Sequence, residues 1–389
     1  MQIEFQCKQC LAFITAEQEQ KGHKFECQLC GFEQGVPLQG TVDVGNVLED
    51  HLIQEEIGHG SMGQIFLASH LLMNRQVALK TISPKVRQDA DAVDQFILEL
   101  QMGAQLSHPN IVTVYTAGYT DGVYYISMQY IDGFDMNEHI ETNGPMEEKE
   151  ALAVISTVAD AMSYAWNDFR MIHRDLKPEN IRVSTRGEIM IMDFGLAKTG
   201  SMNSVADEGL VIGTPDFMSP EQGEARLDID FRADMYSLGI ILIYLLTSKR
   251  PFKAGKSLDV VAMHINKPLP SIEEINPDVR VSNSVKNLIQ VMTAKDRDER
   301  FTSWEDVGDA VDRALVSLSK SKKKNGAKKG NAPSSKTIRV AAPSNTGSVR
   351  RRRSRKSSNP LGTLLFVFII LAVVLFGVYL KMTGKILHP

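Results

Sequence analysis

The chain has 389 residues, of which 43% are hydrophobic and 23% charged, a composition typical of a globular protein with two or three structural units. The net charge of −4 conceals an asymmetry: residues 1–319 carry a balance of −20, whereas residues 320–356 contain 14 Lys and Arg and no acid. All four cysteines lie in the first thirty residues, and the N-terminus has neither a basic start nor an apolar run. We therefore expect neither a disulfide-stapled secreted domain nor a signal peptide.

The first feature along the chain is two cysteine pairs, Cys7 with Cys10 and Cys27 with Cys30, in the spacing C-x2-C-x16-C-x2-C. Tetrahedral Zn²⁺ takes four thiolates at about 2.3 Å, and each C-x2-C places two sulfurs on one tight turn. Two redox dithiols are the alternative, but no strand–helix context of the thioredoxin type surrounds either pair. The pattern predicts structural zinc in a zinc-ribbon-like module over residues 1–40.

A predicted β-hairpin with a glycine-rich turn begins near Leu52 and contains Gly58, Gly60 and Gly63. A G-x-G-x-x-G pattern also marks dinucleotide-binding folds, which place the glycines between a strand and a helix. Here strands are predicted on both sides, which favours a flap whose backbone N–H groups cover the phosphates of ATP. A third predicted strand follows and ends at Lys80.

Apolar residues recur at helical spacing from Asp89 to Leu106 and predict a helix. Glu99 lies within it, where a helix could offer a carboxylate to Lys80; a solvated side chain is the alternative. Further along the chain, the sequence predicts a strand at Val123–Tyr130 and long helices at 147–168 and 233–247. The last of these is apolar nearly all round, so we expect it to be buried.

The segment His173–Asn180 reads HRDLKPEN, and thirteen residues after Asn180 come Asp193, Phe194 and Gly195. Two acids and an amide at these spacings are what a phosphoryl-transfer site needs. One aspartate, Asp175, would accept the proton of the attacking hydroxyl, while Asn180 and Asp193 would each hold a metal ion.

The C-terminal residues predict a different organisation. Order is expected to fail after about Ser317, because residues 320–356 have scarcely any large apolar side chains. Leu361–Leu380 then gives twenty residues without a charge, which as a helix span about 30 Å, the hydrocarbon thickness of a bilayer. A buried core helix is the alternative, but this segment has no core to join. The predicted parts are a basic disordered linker (316–359), a transmembrane helix (360–380) and a short non-cytoplasmic tail (381–389), too short for an external sensor domain.

Residues 50–315 together resemble the protein kinase fold, in particular the bacterial serine/threonine kinases of the eukaryotic type. The motifs occur in the family's order: the glycine-rich loop, Lys80, Glu99, HRDLKPEN, DFG, Gly213-Thr214-Pro215, Ser219-Pro220-Glu221, Asp234 and Arg300. The resemblance implies an α+β fold of two lobes, a small β-rich N-lobe and a larger helical C-lobe. It also implies transfer of the ATP γ-phosphate to Ser or Thr hydroxyls of protein substrates.

The resemblance assigns four residues to catalysis. Lys80 is expected to hold the α- and β-phosphates and to form an ion pair with Glu99. Asp175 is expected to orient the acceptor hydroxyl, and Lys177 to neutralise the phosphate during transfer. Lysine at 177, two residues after the catalytic aspartate, and Thr214 are both typical of kinases that act on Ser or Thr.

The resemblance also implies the cofactor contacts. Asn180 and Asp193 are expected to bind Mg²⁺ or Mn²⁺ through oxygen ligands. Met128 is expected behind the adenine and the backbone of Gln129 and Tyr130 beside it. The full set of expected nucleotide-binding residues is Gly58, Gly60, Gly63, Ile65, Ala78, Lys80, Met128, Gln129, Tyr130, Asn180 and Asp193.

Regulation and location follow as hypotheses. In the family that the sequence resembles, the arginine at position 174 commonly pairs with a phosphate on the activation loop, and a permanent pair with Asp207 or Glu208 is the alternative. We expect autophosphorylation at Ser201 or Ser204. The basic block Arg350–Lys356 adjoins the predicted span, so the positive-inside rule places the kinase domain in the cytoplasm of a single-pass protein of the bacterial inner membrane. For the basic linker, contact with anionic lipid is favoured over nucleic-acid binding and accompanies its role as a topology signal.

Two other function classes stay open from the sequence. A membrane-tethered pseudokinase scaffold would bind nucleotide or partners without catalysis, although Lys80, Asp175, Asn180 and Asp193 are all present. A nucleic-acid-binding regulator built on the zinc ribbon is disfavoured by the acidic balance of residues 1–319. The sequence also leaves a homodimer open.

Overall fold

The structure is a computed structural model that describes residues 2–7, 9–10, 12–17, 20, 23–36, 42–59, 63–82, 90–120, 122–194 and 215–326. Within these ranges no helix is long and apolar enough to cross a membrane, and the predicted span at 360–380 lies outside them.

The N-terminal part, which we call the cysteine module (residues 2–36), consists of two short antiparallel hairpins. Its strands are β1 (Gln2–Gln6), β2 (Phe13–Glu17), β3 (Lys24–Glu26) and β4 (Glu33–Gly35), paired β1 with β2 and β3 with β4. Its buried apolar cluster has six members, Phe5, Cys7, Ile14, Ala16, Cys27 and Val36. So few buried side chains give the module little apolar stabilisation of its own.

The N-lobe is a six-stranded antiparallel sheet with one helix. Its elements are β5 (Val47–Leu48), β6 (His51–His59), β7 (Gly63–His70), β8 (Arg75–Ile82), α1 (Ala90–Gly103), β9 (Val114–Thr120) and β10 (Val123–Gln129). The strand order β5-β6-β7-β8-β10-β9 confirms the predicted hairpin and third strand. One face of the sheet buries Ile53, Phe66, Leu79 and Tyr125. The predicted helix at Asp89–Leu106 is observed with slightly shorter bounds.

The C-lobe is helical around one central helix. Its elements are β11 (Gly133–Asp135), α2 (Met136–Asn143), α3 (Glu148–Phe169), β12 (Ile181–Ser184), β13 (Ile189–Ile191), α4 (Pro220–Gly223), α5 (Arg232–Thr247), α6 (Ser257–Asn266), α7 (Ile272–Ile275), α8 (Asn283–Met292) and α9 (Trp304–Gly326). Helix α5 is buried at every residue from Ala233 to Thr247, as its apolar sequence predicts. Strands β11, β12 and β13 form a small sheet that positions the loop between α3 and β12.

The expectation that order fails after Ser317 is wrong, because α9 continues to Gly326. The helix buries Trp304, Val307 and Val311 along one stripe. Once this packing has nucleated the helix, each further residue adds a hydrogen bond at little cost, and lysine is a good helix former. The first residues of the predicted linker are therefore helical, and residues from 327 onward lie outside the described ranges.

Candidate active site

The loop His173–Asn180 is anchored from below by a carboxylate at the start of α5. Asp234 accepts hydrogen bonds from the backbone N–H groups of His173 (2.6 Å) and Arg174 (2.8 Å). Burial raises the pKa of Asp234 to about 7, and the two N–H donors act in the opposite direction. Arg174 has a left-handed φ of +62°, a conformation that costs a non-glycine residue free energy and persists only when neighbours fix it. The two hydrogen bonds that Asp234 accepts from His173 and Arg174 fix the backbone in this conformation.

His173 joins this loop to the segment that carries Asp193. The backbone N–H of Asp175 donates to Nδ1 of His173 at 3.4 Å, so Nε2 carries the proton and donates to the Met192 carbonyl at 2.9 Å. Burial lowers the pKa of His173, which keeps the ring neutral in this tautomer. The ring also packs on Phe194, with centroids 4.8 Å apart. The sequence motif gave no indication of this role for His173.

The structure brings together three predicted residues within the loop. Lys177 Nζ lies 3.0 Å from Asp175 Oδ2, and Asn180 Nδ2 donates to the Asp175 carbonyl at 2.8 Å. The Asp175 carboxylate keeps 24% side-chain exposure, so a substrate hydroxyl can reach it. Asn180 is itself buried and fixed by its place in a short 3₁₀ turn. The arrangement holds a carboxylate base beside a lysine cation, as phosphoryl transfer requires.

A second contact links the lobes. Lys80 Nζ on β8 donates to Asp193 Oδ1 at 3.1 Å, and both side chains are largely buried. Asp193 has a left-handed φ of +50°, which aims a residue of the C-lobe at the sheet of the N-lobe. The carboxylate of Asp193 and the amide oxygen of Asn180 are hard oxygen donors, which fits the preference of Mg²⁺.

The pairing of the glycine-rich hairpin with β8 explains why residue 63 is a glycine. A Cβ on Gly63 would lie 1.7 Å from the Thr81 carbonyl oxygen, so β7 and β8 could not pair here with any other residue. A Cβ on Gly58 would meet only Ile65, at 3.6 Å, which is ordinary contact. Gly63 is thus needed by the sheet, its expected contact with ATP stays a prediction, and Gly60 lies outside the described residues.

The expected adenine-binding residues meet where β8 and β10 pair. Ala78 is opposite Met128 in this pairing, and Ile65 is opposite Lys80 on the neighbouring strand pair. The backbone N–H of Gln129 donates to the Thr113 carbonyl at 2.8 Å and is therefore already engaged, and the contacts of the Gln129 and Tyr130 backbone with adenine stay predictions. Tyr130, predicted as the last residue of the strand, lies just after β10.

Some predicted contacts stay predictions. Glu99 belongs to α1, but its side chain is not among the described ones, so its ion pair with Lys80 is untested. Thr214 and the loop hydroxyls at Ser201 and Ser204 lie outside the described ranges.

Sequence reasoning missed a support behind the catalytic loop. Gln222 Nε2 donates to the Arg174 carbonyl at 2.7 Å. Gln222 also forms a capping box with Ser219 at the start of α4, and the S-x-x-Q spacing could have revealed that local pair. Nearby, Arg300 makes a buried two-pronged ion pair with Glu221, at 2.6 and 2.9 Å. Glu221 and Arg300 belong to the motifs that the sequence shares with the family, but the contact between Gln222 and Arg174 has no signal in a single sequence.

The four cysteines of the cysteine module converge. Their Sγ atoms all lie within 4.8 Å of one another, with Cys7–Cys30 at 3.5 Å and Cys10–Cys27 at 3.7 Å. Four thiolates at about 2.3 Å from one ion would be separated by about 3.8 Å, so the set fits a tetrahedral metal. A hydrogen bond from the backbone N–H of Cys10 lowers the pKa of Cys7 to about 6, which favours the thiolate that binds metal.

A two-lobed fold with a lysine, an aspartate pair and an asparagine at the cleft defines an ATP-dependent phosphotransferase. The protein kinase domain family matches residues 52–311, and the chain belongs to this family. It is 36% identical over 251 residues to the serine/threonine-protein kinase PrkC of Bacillus subtilis, covering 64% of this chain and 38% of that protein. It is 38% identical over 224 residues to the serine/threonine-protein kinase PknB of Mycobacterium tuberculosis, covering 56% of this chain and 35% of that protein.

A solved structure is also similar. The kinase domain of Mycobacterium tuberculosis PknI aligns with a TM-score of 0.56 and 26% identity, covering 71% of this chain and 99% of that one. The matches span less than half the length of these curated relatives, and they support a kinase domain of the bacterial serine/threonine type. They give no support to a pseudokinase scaffold.

Proposed function

We propose that the protein is a membrane-anchored serine/threonine protein kinase that transfers the γ-phosphate of ATP to protein hydroxyls. The observation that carries this proposal is the 3.1 Å contact between Lys80 and Asp193, which joins the two lobes beside Asp175. It places a cation for phosphate oxygens and a carboxylate for a metal ion in the same cleft as the base.

The residues divide the chemistry among them. Lys80 binds phosphate oxygens, and Asp193 and Asn180 hold Mg²⁺, which supplies charge neutralisation of the transferring phosphate. Asp175 accepts the hydrogen bond of the acceptor hydroxyl and takes its proton as the new P–O bond forms, while the bond from the γ-phosphorus to the bridging oxygen breaks and ADP leaves with that oxygen. Lys177, 3.0 Å from that carboxylate, neutralises charge on the transferred group. Positioning and electrostatic stabilisation account for the catalysis.

The experiment is phosphate transfer from labelled ATP with Mg²⁺ by the full chain. The wild type is expected to label Ser or Thr, while Asp193→Asn loses at least about 10³-fold of the rate because a metal ligand of the transition state is gone. Asp168→Asn is the matched control, since Asp168 is an exposed residue near the end of α3. No transfer by the wild type, with nucleotide still bound, would support the scaffold alternative.

Arg174 supports autophosphorylation of the activation loop. Its Nε is buried without a partner among the described atoms, and burial lowers the pKa of the guanidinium. A phosphate on Ser201 or Ser204 would supply the missing charge-assisted hydrogen bond. Mass spectrometry of active protein is expected to find one of these residues modified, and finding neither would contradict the hypothesis.

The flanking parts complete the proposal. The cysteine module holds structural zinc, residues 360–380 cross the membrane, and the basic linker contacts anionic lipid on the cytoplasmic side. The apolar length of Leu361–Leu380 and the charge of Arg350–Lys356 support the anchoring. Extraction of the chain from membranes by detergent but not by high salt is the expected result, and release by salt alone would leave only a surface contact.

A further inference from the structure

The cysteine module is joined to the N-lobe through backbone hydrogen bonds. The N–H of Gln6 on β1 donates to the Gly45 carbonyl at 2.7 Å, and Phe5 pairs with Asn46 as an antiparallel bridge. Gln34 Nε2 donates to the Gln6 carbonyl at 3.1 Å and so ties the second hairpin to the same place. Gly45 has φ +89°, which other residues rarely adopt. The module is therefore attached immediately before β5, an edge strand of the kinase sheet.

The segment that receives β1 continues into a tight hairpin. Ile53 donates its N–H to the Asn46 carbonyl and accepts from the Gly45 N–H, both at 2.9 Å. Strand β5 then pairs with the start of β6 across a two-residue turn in which Glu49 has φ +50°. Because β5 has only two residues and both pair with the first two residues of β6, we expect a shift of β1 also to move the start of β6.

Two side-chain hydrogen bonds join this hairpin to β10. Tyr125 donates its hydroxyl to the Glu49 carboxylate. His51 Nδ1 lies 3.3 Å from the Leu48 carbonyl, and Nε2 lies 2.9 Å from Ser127 Oγ. A carbonyl only accepts, so Nδ1 carries the proton and Nε2 accepts from the Ser127 hydroxyl. His51 and Ser127 are both buried, which makes this link hard to replace by water.

We propose that the cysteine module is a metal-dependent positioning element of the nucleotide site. With the metal bound, β1 holds the β5–β6 hairpin, and the bond between His51 and Ser127 fixes β10 immediately before Met128 and Gln129. Loss of the metal removes the cross-link from a module with six buried residues, β1 leaves Gly45 and Asn46, and nucleotide binding weakens. The inference rests on the nucleotide site of the proposed function but not on its transfer step.

The test measures the Kd of a fluorescent ATP analogue for the full chain at constant Mg²⁺, before and after a zinc-selective chelator. The Kd is expected to rise at least about fivefold, the lower end of typical coupling between sites, and to return when Zn²⁺ is added. Amide hydrogen exchange is expected to increase at residues 46–53 and 125–129. A Kd that stays within about twofold of the starting value overturns the proposal.

Two variants separate positioning from general destabilisation. Ser127→Ala keeps all four cysteines and is expected to weaken the response of the Kd to Zn²⁺, because it cuts one of the two side-chain links to β10 and leaves only that between Tyr125 and Glu49. If Ser127 has only a structural role, the Kd of the variant still responds fully to Zn²⁺. That result overturns the proposed connection from the cysteine module through His51 and Ser127 to β10. Gln28→Ala, an exposed residue between Cys27 and Cys30, is the control and is expected to respond as the wild type does.

The outcome is distinct from that of the kinase assay. Zinc-dependent nucleotide binding without phosphate transfer would contradict the proposed function alone. Phosphate transfer with a zinc-independent Kd would contradict the positioning role alone.

Discussion

The C-lobe and the cysteine module are stabilised in opposite ways. Helix α5 buries 15 of its 16 residues inside the C-lobe, whereas the described residues of the module bury six apolar side chains, two of them cysteines. Units of fewer than about 40 residues usually need metals, disulfides or a partner to fold. The comparison shows that the catalytic loop belongs to the part whose fold depends on apolar burial. The part with few buried side chains is attached next to the edge strand β5, so we expect its loss to alter the site without destroying it.

Replacing Cys7 and Cys27 with Ser is expected to break the module and leave the C-lobe intact. Structural zinc contributes about 10–16 kcal/mol of apparent binding free energy in small zinc-finger peptides, far more than six buried side chains can replace. Amide hydrogen exchange should show lost protection in β1–β4 and unchanged protection in α5. Unchanged protection in β1–β4 would show that the module folds without its sulfur ligands.

Arg300→Met tests how much a buried contact stabilises the C-lobe. The ion pair with Glu221 is buried, with side-chain exposures of 0% and 4%, so the variant leaves an unpaired buried carboxylate. The expected loss is about 3–5 kcal/mol of unfolding free energy. Denaturant unfolding followed by tryptophan fluorescence measures it.

Arg226→Met is the control for that experiment, because the pair with Glu224 is exposed and is expected to contribute less than about 1 kcal/mol. Equal losses in the two variants would show that burial of the Glu221–Arg300 pair does not determine its contribution.

Acidification is expected to destabilise the C-lobe through His264. Burial, with a contribution from the charge of Lys295, lowers the pKa of His264 to about 4. The unfolded chain, with a histidine pKa near about 6.5, therefore binds a proton that the folded chain does not. Stability is fully present above that pH and declines as the pH falls towards 4, by roughly 1–3 kcal/mol in all. Unfolding midpoints at pH 7.5 and 5 measure the decline, which His264→Gln should reduce; an unchanged decline in the variant would assign it to other groups.

The smallest effect is expected from the surface of the module. Lys24 lies 2.7 Å from Glu33 across the β3–β4 hairpin, but their side chains are 78% and 57% exposed. Lys24→Ala should therefore change module stability by less than about 1 kcal/mol. Exchange rates in β3 and β4 measure this change. A large increase would show that pairing on the surface, rather than the sulfur cluster, holds the hairpin.

The sequence predicted most of the kinase site because its groups lie in short contiguous motifs. HRDLKPEN places Asp175, Lys177 and Asn180 within six residues, so local geometry alone brings them together. The alternation of apolar residues likewise located β6 to β8, and the apolar run of α5 predicted its burial. The end of ordered structure was predicted too early in α9. The prediction depended on the scarcity of large apolar residues after Ser317, whereas an established helix can continue through polar residues.

The parts that the sequence did not predict depend on contacts between distant residues. Gln222 supports Arg174 across 48 positions, and His51 meets Ser127 across 76. Neither pair has a characteristic spacing, because each depends on how whole elements pack. The attachment of the module to β5 was missed for the same reason: the cysteine spacing predicts a metal site but not the surface on which it lies.

The attachment of β1 beside β5 has a consequence for folding during synthesis. Strand β1 pairs with β2 on one side, but Gly45 and Asn46, which it contacts on its other side, emerge only later, so until then the groups on that side lack their partners. A chain shortened to begin near Asn46 would instead leave the free edge on the kinase sheet, with the Gly45 and Gln6 pairing lost. Unpaired strand edges recruit other chains, so the shortened protein is expected to self-associate through β5. The N-terminal hairpin is thus also expected to prevent self-association through this strand edge.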